Sequence, residues 1–397
     1  DMRQSLKDDY TDILPMFVFS EEAQAEVASS QMERAIAKGH KLIREHSITV
    51  KPKREPSGRN PEYRTFYNQK EFNRWVDDAW MLIGKAHLSK QEYYEAARAF
   101  DKVIRTFPAK QVRFEAMLWL ARTYVEMDDY ENARRYLERF SSEEREKDFN
   151  GLYASTYAWF WLSRDQYQEA LDYCRQAIKN AGDRWHKVRW SYVLGQVAER
   201  TGDRDLALRA YQDVIQMNPD YAFRLHAMVK GALLAGGPEN PELSRRQLNE
   251  YADEFKNRDY RDQIYYAVAQ TWFWEEDTLR GLTNLQLAAG YGGENRALLG
   301  EVYREMAQIY FQSNDYIAAN AYYDSTLTVL PDNYQGIETV RQKKRKIGPL
   351  AQSLQLAEHE DSVQRIAAWP EAKRDQFLND LVARMKQEEE AQRMGAT

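Results

Sequence analysis

Over residues 80–108 the apolar positions recur at intervals of three and four, pause, and resume with the same rhythm. Trp80, Ile83, Gly84, His87 and Leu88 fall on one helical face. Ser89, Lys90 and Gln91 interrupt the pattern, and Tyr93, Ala96, Ala97, Phe100, Val103 and Ile104 form a second apolar face. That periodicity predicts two amphipathic helices joined by a short turn. Pro108 ends the second, because proline cannot continue a helix. Gly84 and Ala96 are small where two helices must approach closely, and the bulk of Trp80 and Phe100 fills the space around that contact.

The same offsets return down the chain. Units begin near Asp77, Phe114, Gly151 and Val188, a steady interval of 37 residues. The second carries Leu120, Ala121, Tyr124, Ala133 and Leu137, and the third Tyr157, Ala158, Trp161, Ala170 and Cys174. The fourth carries Leu194, Gly195, Ala198, Ala207, Tyr211 and a terminal Pro219. A fifth, over about 225–258, is degenerate and interrupted by GGPENP, which predicts a break in the regular stack. A sixth (Tyr265, Ala269, Trp272, Gly281, Leu285) and a seventh (Tyr303, Ala307, Tyr310, Ala319, Tyr323, Pro331) restore the pattern. Large, small-plus-large and terminal Pro over about 34 residues is the tetratricopeptide pattern. The expected fold is all-α: a right-handed superhelical solenoid of about seven hairpins with helical flanks.

Three segments follow. Residues 1–62 form an N-terminal region, 63–333 the solenoid, and 334–397 a helical cap with a charged tail. Within the first, DDYTDILPMFVF clusters apolar residues around Pro15 and reads as an irregular arm. It either packs on its own chain or meets a partner. A helix with Ala23, Val27, Met32, Ile36 and Leu42 as its stripe then runs to about His46. The Pro- and Gly-containing stretch 47–62 predicts a loop. Residues 34–64 hold nine Lys/Arg against three Asp/Glu, and RQKKRK occupies 341–346. Both runs read first as solvated surface and second as anion contacts.

Composition narrows the function. At 397 residues the chain exceeds one compact core, a limit that a solenoid escapes because each unit contacts only its neighbours. A net charge of −6 with both signs interspersed argues against general nucleic-acid binding. The single cysteine, Cys174, excludes an intrachain disulfide. No apolar run approaches the ~20 residues of a membrane span. HExxH, CxxC, GxxxxGK[ST] and GxSxG are all absent, so neither an enzyme nor a cofactor is expected.

What remains is binding. In this architecture the first helix of each hairpin lines a concave groove. The groove positions give Lys85, Arg122, Trp159, Tyr192, Tyr266, Phe273, Arg304 and Phe311 as candidate partner contacts. Trp159, Tyr192, Tyr266 and Phe273 are expected as exposed aromatic anchors, unless a terminal element covers them. The Lys/Asn/Arg pattern that clamps an acidic C-terminal peptide is missing, since Met81, Lys85, Leu118 and Arg122 stand there instead.

DDYTDILPMFVF, YRTFYNQKEFNRWVDDAWMLIGKAHLSKQEYYEAARAF, YYDSTLTVLPDNY and EDSVQRIAAWPEAKRDQFLNDLV are not generic repeat residues. In these blocks the chain resembles the PorW/SprE family of tetratricopeptide lipoproteins. The resemblance implies a periplasmic, outer-membrane-anchored accessory of the Bacteroidetes type IX secretion system. Its implied partners are the translocon and the periplasmic ring, and its implied role is export of C-terminal-signal cargo and gliding. The family's lipid-bearing cysteine is not among these residues, and the chain starts with Asp1. A trimmed fragment is therefore the expectation, with any membrane contact made through an anchor outside it. The alternative is a generic tetratricopeptide adaptor for soluble peptides or chaperones.

Overall fold

The structure is a computed structural model. It describes residues 10, 12–17, 22–46, 61, 64, 75–144, 149–292, 295–332, 334 and 336–395. The basic loop over 47–62 and the family-like stretch over 63–75 lie almost entirely outside them.

The described residues form seventeen α-helices and no strand. After α1 (Glu22–His46) come four hairpins: α2 (Val76–Ser89) with α3 (Tyr93–Thr106), α4 (Val112–Glu126) with α5 (Tyr130–Ser142), α6 (Asn150–Leu162) with α7 (Tyr167–Lys179), and α8 (Arg184–Thr201) with α9 (Arg204–Gln216). α10 (Tyr221–Gly236) packs on α9 and completes the first compact unit, Asp1–Gly236. The second unit, Gly237–Thr397, begins with α11 (Pro241–Asp253). Two hairpins follow, α12 (Arg261–Phe273) with α13 (Thr278–Tyr291) and α14 (Arg296–Gln312) with α15 (Tyr316–Val329), and then α16 (Ile337–Ala367) and α17 (Glu371–Gly395). The division falls inside the stretch expected as one solenoid, in the degenerate fifth repeat.

Each hairpin turn is built alike. One residue adopts positive φ and the next caps the second helix. Gln91, Asp128, Asp165 and Gly202 supply the left-handed residue at intervals of 37, and Glu276 and Asn314 do so later. The Asp side chains at 129, 203, 277 and 315 then accept a backbone N–H three residues on, satisfying one of the otherwise orphaned first-turn donors.

The paired helices close on a small residue. A Cβ on Gly84 would lie 2.6 Å from the Phe100 ring, so only glycine lets α3 approach α2 this closely. Gly195 and Tyr211 repeat the arrangement between α8 and α9. First helices also touch along the stack, α2 on α4 and α4 on α6. In the first unit two apolar clusters share Trp159, Trp161 and Tyr173 at their margins. α1 lies on α2, with His40 edge-on to Trp80 at 5.8 Å.

Beyond Ala351 neither α16 nor α17 buries a residue among those described. The basic run on α16 is met by its own unit: Arg341 pairs with Asp332 and Glu338, Lys344 with Asp324, Arg345 with Glu338, and Lys343 reaches Gln308.

Candidate protein-interaction groove

Most helices of the first unit are polar on one side, but α8 is apolar or buried nearly all round from Val188 to Ala198. Such a helix needs cover on every face. α7 and α9 supply two sides. The arm supplies a third: residues 12–17 run across α8, held mostly by their backbone.

Gln196 grips the arm with both ends of its amide. Its Nε2 donates to the Asp12 carbonyl at 2.7 Å, and its Oε1 accepts the Leu14 N–H at 2.9 Å. Arg189 Nε donates to the Pro15 carbonyl and Trp190 Nε1 to the Met16 carbonyl, each at 2.8 Å. At the exposed edge Arg200 pairs with Asp12 at 3.2 Å. Arg189, Tyr192, Gln196 and Arg200 are spaced three, four and four apart and so share a stripe of the helix. Leu14, Met16 and Phe17 are buried. The Phe17 ring lies 3.0 Å beneath the Arg122 guanidinium carbon, and Tyr10 stacks on His226 at 3.5 Å.

Beside Phe17 opens a cleft of about 940 Å³, bordered by Lys85, Glu115, Trp119, Arg122, Ser155 and Trp190. Lys85 pairs with Glu115 at 2.8 Å and stands over Trp119. Burial pulls the Arg122 pKa well down, against the opposing charge of Glu126. The Glu126 carboxyl is pushed up by burial, while the Trp159 indole N–H at 2.7 Å and the Arg122 charge counter this. The groove floor therefore carries a buried guanidinium and a half-buried carboxyl among aromatic rings.

The structure moves several candidates away from the expected exposed anchors. Tyr192 is completely buried, enclosed by Tyr10, Tyr211 and Phe223. Arg122 is 5% exposed beneath the arm. Trp159 is half-buried with its indole engaged by Glu126. Lys85 keeps 38% of its side chain exposed at the cleft. These four belong to the first unit.

In the second unit, Phe273 packs inside its own hairpin. A Cβ on Gly281 would fall 2.0 Å from its ring. The glycine and the aromatic have exchanged helices relative to Gly84 and Phe100, which takes Phe273 out of the exposed groove. Tyr266 is half-buried and Glu305 raises its phenol pKa further above the ordinary value, after burial. Gln270 donates to both Glu305 oxygens at 3.0 Å. Arg304 is exposed and paired with Glu301, and half-buried Phe311 meets Tyr316 edge-on.

Residues 78–235 match the family model described as a tetratricopeptide repeat-like domain. The chain carries a tetratricopeptide-repeat solenoid. A tetratricopeptide repeat protein from Parabacteroides merdae is similar in structure, with a TM-score of 0.51 at 11% identity over 68% of this chain and 98% of that one. PilF of Pseudomonas aeruginosa matches 68% of this chain and 97% of its own at 14% identity, with a TM-score of 0.37. The C-terminal part of a repeat protein from Cytophaga hutchinsonii covers 64% and 97% at 14% identity, with a TM-score of 0.42.

Sequence reasoning identified Tyr192 as a groove position but missed Arg189, Trp190, Arg200 and His226. A signal existed for the first three: long polar or N–H-bearing residues recur on a helix that is otherwise apolar. His226 had none, since its role depends on Tyr10, more than 200 positions away.

Proposed function

We propose that the chain is a non-enzymatic adaptor that joins protein partners of the type IX secretion machinery, linking the outer-membrane translocon to periplasmic ring or motor components. The observation behind the adaptor reading is the grip on residues 12–17. Four hydrogen bonds from three α8 side chains reach the backbone of residues 12–16, which form neither helix nor strand. A surface that reads backbone while burying the apolar side chains of Leu14, Met16 and Phe17 is chemistry for holding peptide, not for transforming a substrate. Cys174, the one thiol, is buried with its pKa pushed up to about 12, so it is no nucleophile at neutral pH.

Assignment to type IX secretion rests on the family-like blocks named above. The same resemblance supports a periplasmic location at the outer membrane, held by a lipid anchor outside these residues, and a role in exporting C-terminal-signal cargo and in gliding. No described helix is long and apolar enough to cross a membrane. A second reading, a free periplasmic adaptor for peptides or chaperones, is favoured by the backbone-directed grip alone. Crosslinking followed by co-purification from cells separates the two. Translocon or ring subunits are expected with the chain, and deletion should stop cargo export. Recovery of folding factors alone, with export intact, would replace the first reading by the second.

A further inference from the structure

We propose that the arm, residues 10 and 12–17, is an exchangeable internal ligand: the α8 groove receives an apolar segment of a partner protein, and the chain's own arm holds that groove until the partner displaces it. The inference rests on the adaptor reading and specifies what it binds.

Three observations carry it. First, the grip is largely indifferent to sequence. Gln196, Arg189 and Trp190 address the carbonyls of residues 12, 15 and 16 and the N–H of residue 14, groups that other peptides also present. Second, the side-chain requirement is short. Leu14, Met16 and Phe17 are the arm residues buried with 4% exposure or less, so the ligand class is an irregular peptide segment with apolar residues at those three positions. Third, the groove extends past the arm. The cleft bordered by Lys85, Trp119 and Arg122 lies beside Phe17, so a partner segment that enters it gains contact area beyond that made by residues 12–17. A competitor with the same backbone bonds and added apolar contact has the differential affinity needed to displace the arm. Its observed affinity is reduced by the fraction of time the arm is docked.

The test uses the full chain and a fluorescein-labelled peptide of residues 10–17 (YTDILPMF), read by anisotropy. Two forms are compared: the natural chain, and L14D/M16D, whose arm cannot stay buried. If the double variant loses helical content by circular dichroism, Tyr10→Ala takes its place, since it removes the His226 stack and leaves Leu14, Met16 and Phe17 unchanged. The peptide should bind the opened chain about 10- to 100-fold more tightly than the natural one, as expected for an arm docked 90–99% of the time. Gln196→Ala in the opened chain should remove most of that binding.

A second peptide keeps Tyr10, Leu14, Met16 and Phe17 and replaces every other side chain with serine. It should bind within about fivefold of the first. Failure of the first peptide to bind an opened, folded chain overturns the proposal. So does rejection of the serine peptide, which would make the groove a dedicated clamp for its own arm. A natural chain that elutes as a dimer dissociated by the peptide would make a second copy the occupant, and also overturns it. None of these outcomes touches co-purification with secretion subunits, so the two readings fail separately.

Discussion

Glu276 closes the α12–α13 turn at φ 59° with its side chain in solvent. For an L-residue this conformation costs about 1–2 kcal/mol, whereas glycine there loses about 0.5–1 kcal/mol through the freer unfolded chain. The first effect exceeds the second, so Glu276→Gly should stabilise the second unit by roughly 0.5 kcal/mol, read as a higher urea midpoint. Gly84 argues the opposite way. Adding a methyl 2.6 Å from the Phe100 ring forces the ring or α3 to move, and Gly84→Ala should cost about 1–3 kcal/mol by the same measurement. Both sites lie on the repeat grid, which is why Gly84 was legible as a packing residue from offsets alone. Phe273 was not, because the grid fixes where a helix crossing falls but not which of the two helices carries the ring.

At the scale of elements, the arm and α8 form the unit that matters. His226 sits under the arm against Tyr10, and burial, helped by the charge of Lys230, brings its pKa down to about 3. Lys230 itself pairs with Glu199 at 3.2 Å, and Glu199 also accepts the Tyr211 hydroxyl. With the arm released, the imidazole returns toward the ordinary value near 6.5. The docked pKa is the lower one, so this contribution is complete above about pH 6.5 and is lost as pH falls toward 3. At pH 5 the docking equilibrium should weaken relative to pH 7.5, by at most about 30-fold, since the charge of Lys230 remains after release. On the L14D/M16D chain, whose arm is open, the fluorescent arm peptide should bind more weakly at the lower pH, because its Tyr10 meets the same imidazole, and His226→Phe should flatten the response. The helices around this element were readable from periodicity because each depends on residues within a turn or two. The arm's site was not, because its hydrogen bonds span 174 to 184 positions and no periodicity encodes a contact of that separation.

Across the whole molecule, order should follow burial rather than helix length. α16 is the longest helix, at 31 residues, yet Ile337, Val340, Ile347 and Ala351 at its beginning are its only buried residues. α17 has none among its described side chains, and Leu378, Val382 and Met385 are each about half exposed. Helices in water without a packed face are marginal, since most of their stability comes from tertiary contact rather than propensity. By contrast α4 and α8 are enclosed by their neighbours and bury nine and eleven residues. Hydrogen exchange read by mass spectrometry should therefore divide the chain sharply. Amides of α4 and α8 should stay protected to near the global unfolding limit, while those after Ala351 exchange through local opening orders of magnitude sooner. A partner that covers the Leu378–Met385 stripe would show itself as slowed exchange confined to α17. An arm-displacing peptide should leave α17 unchanged and alter protection only in residues 12–17 and the helices the arm touches, α4, α8 and α10. Protection after Ala351 equal to that of α8 in the isolated chain would mean that burial does not set the order of opening here.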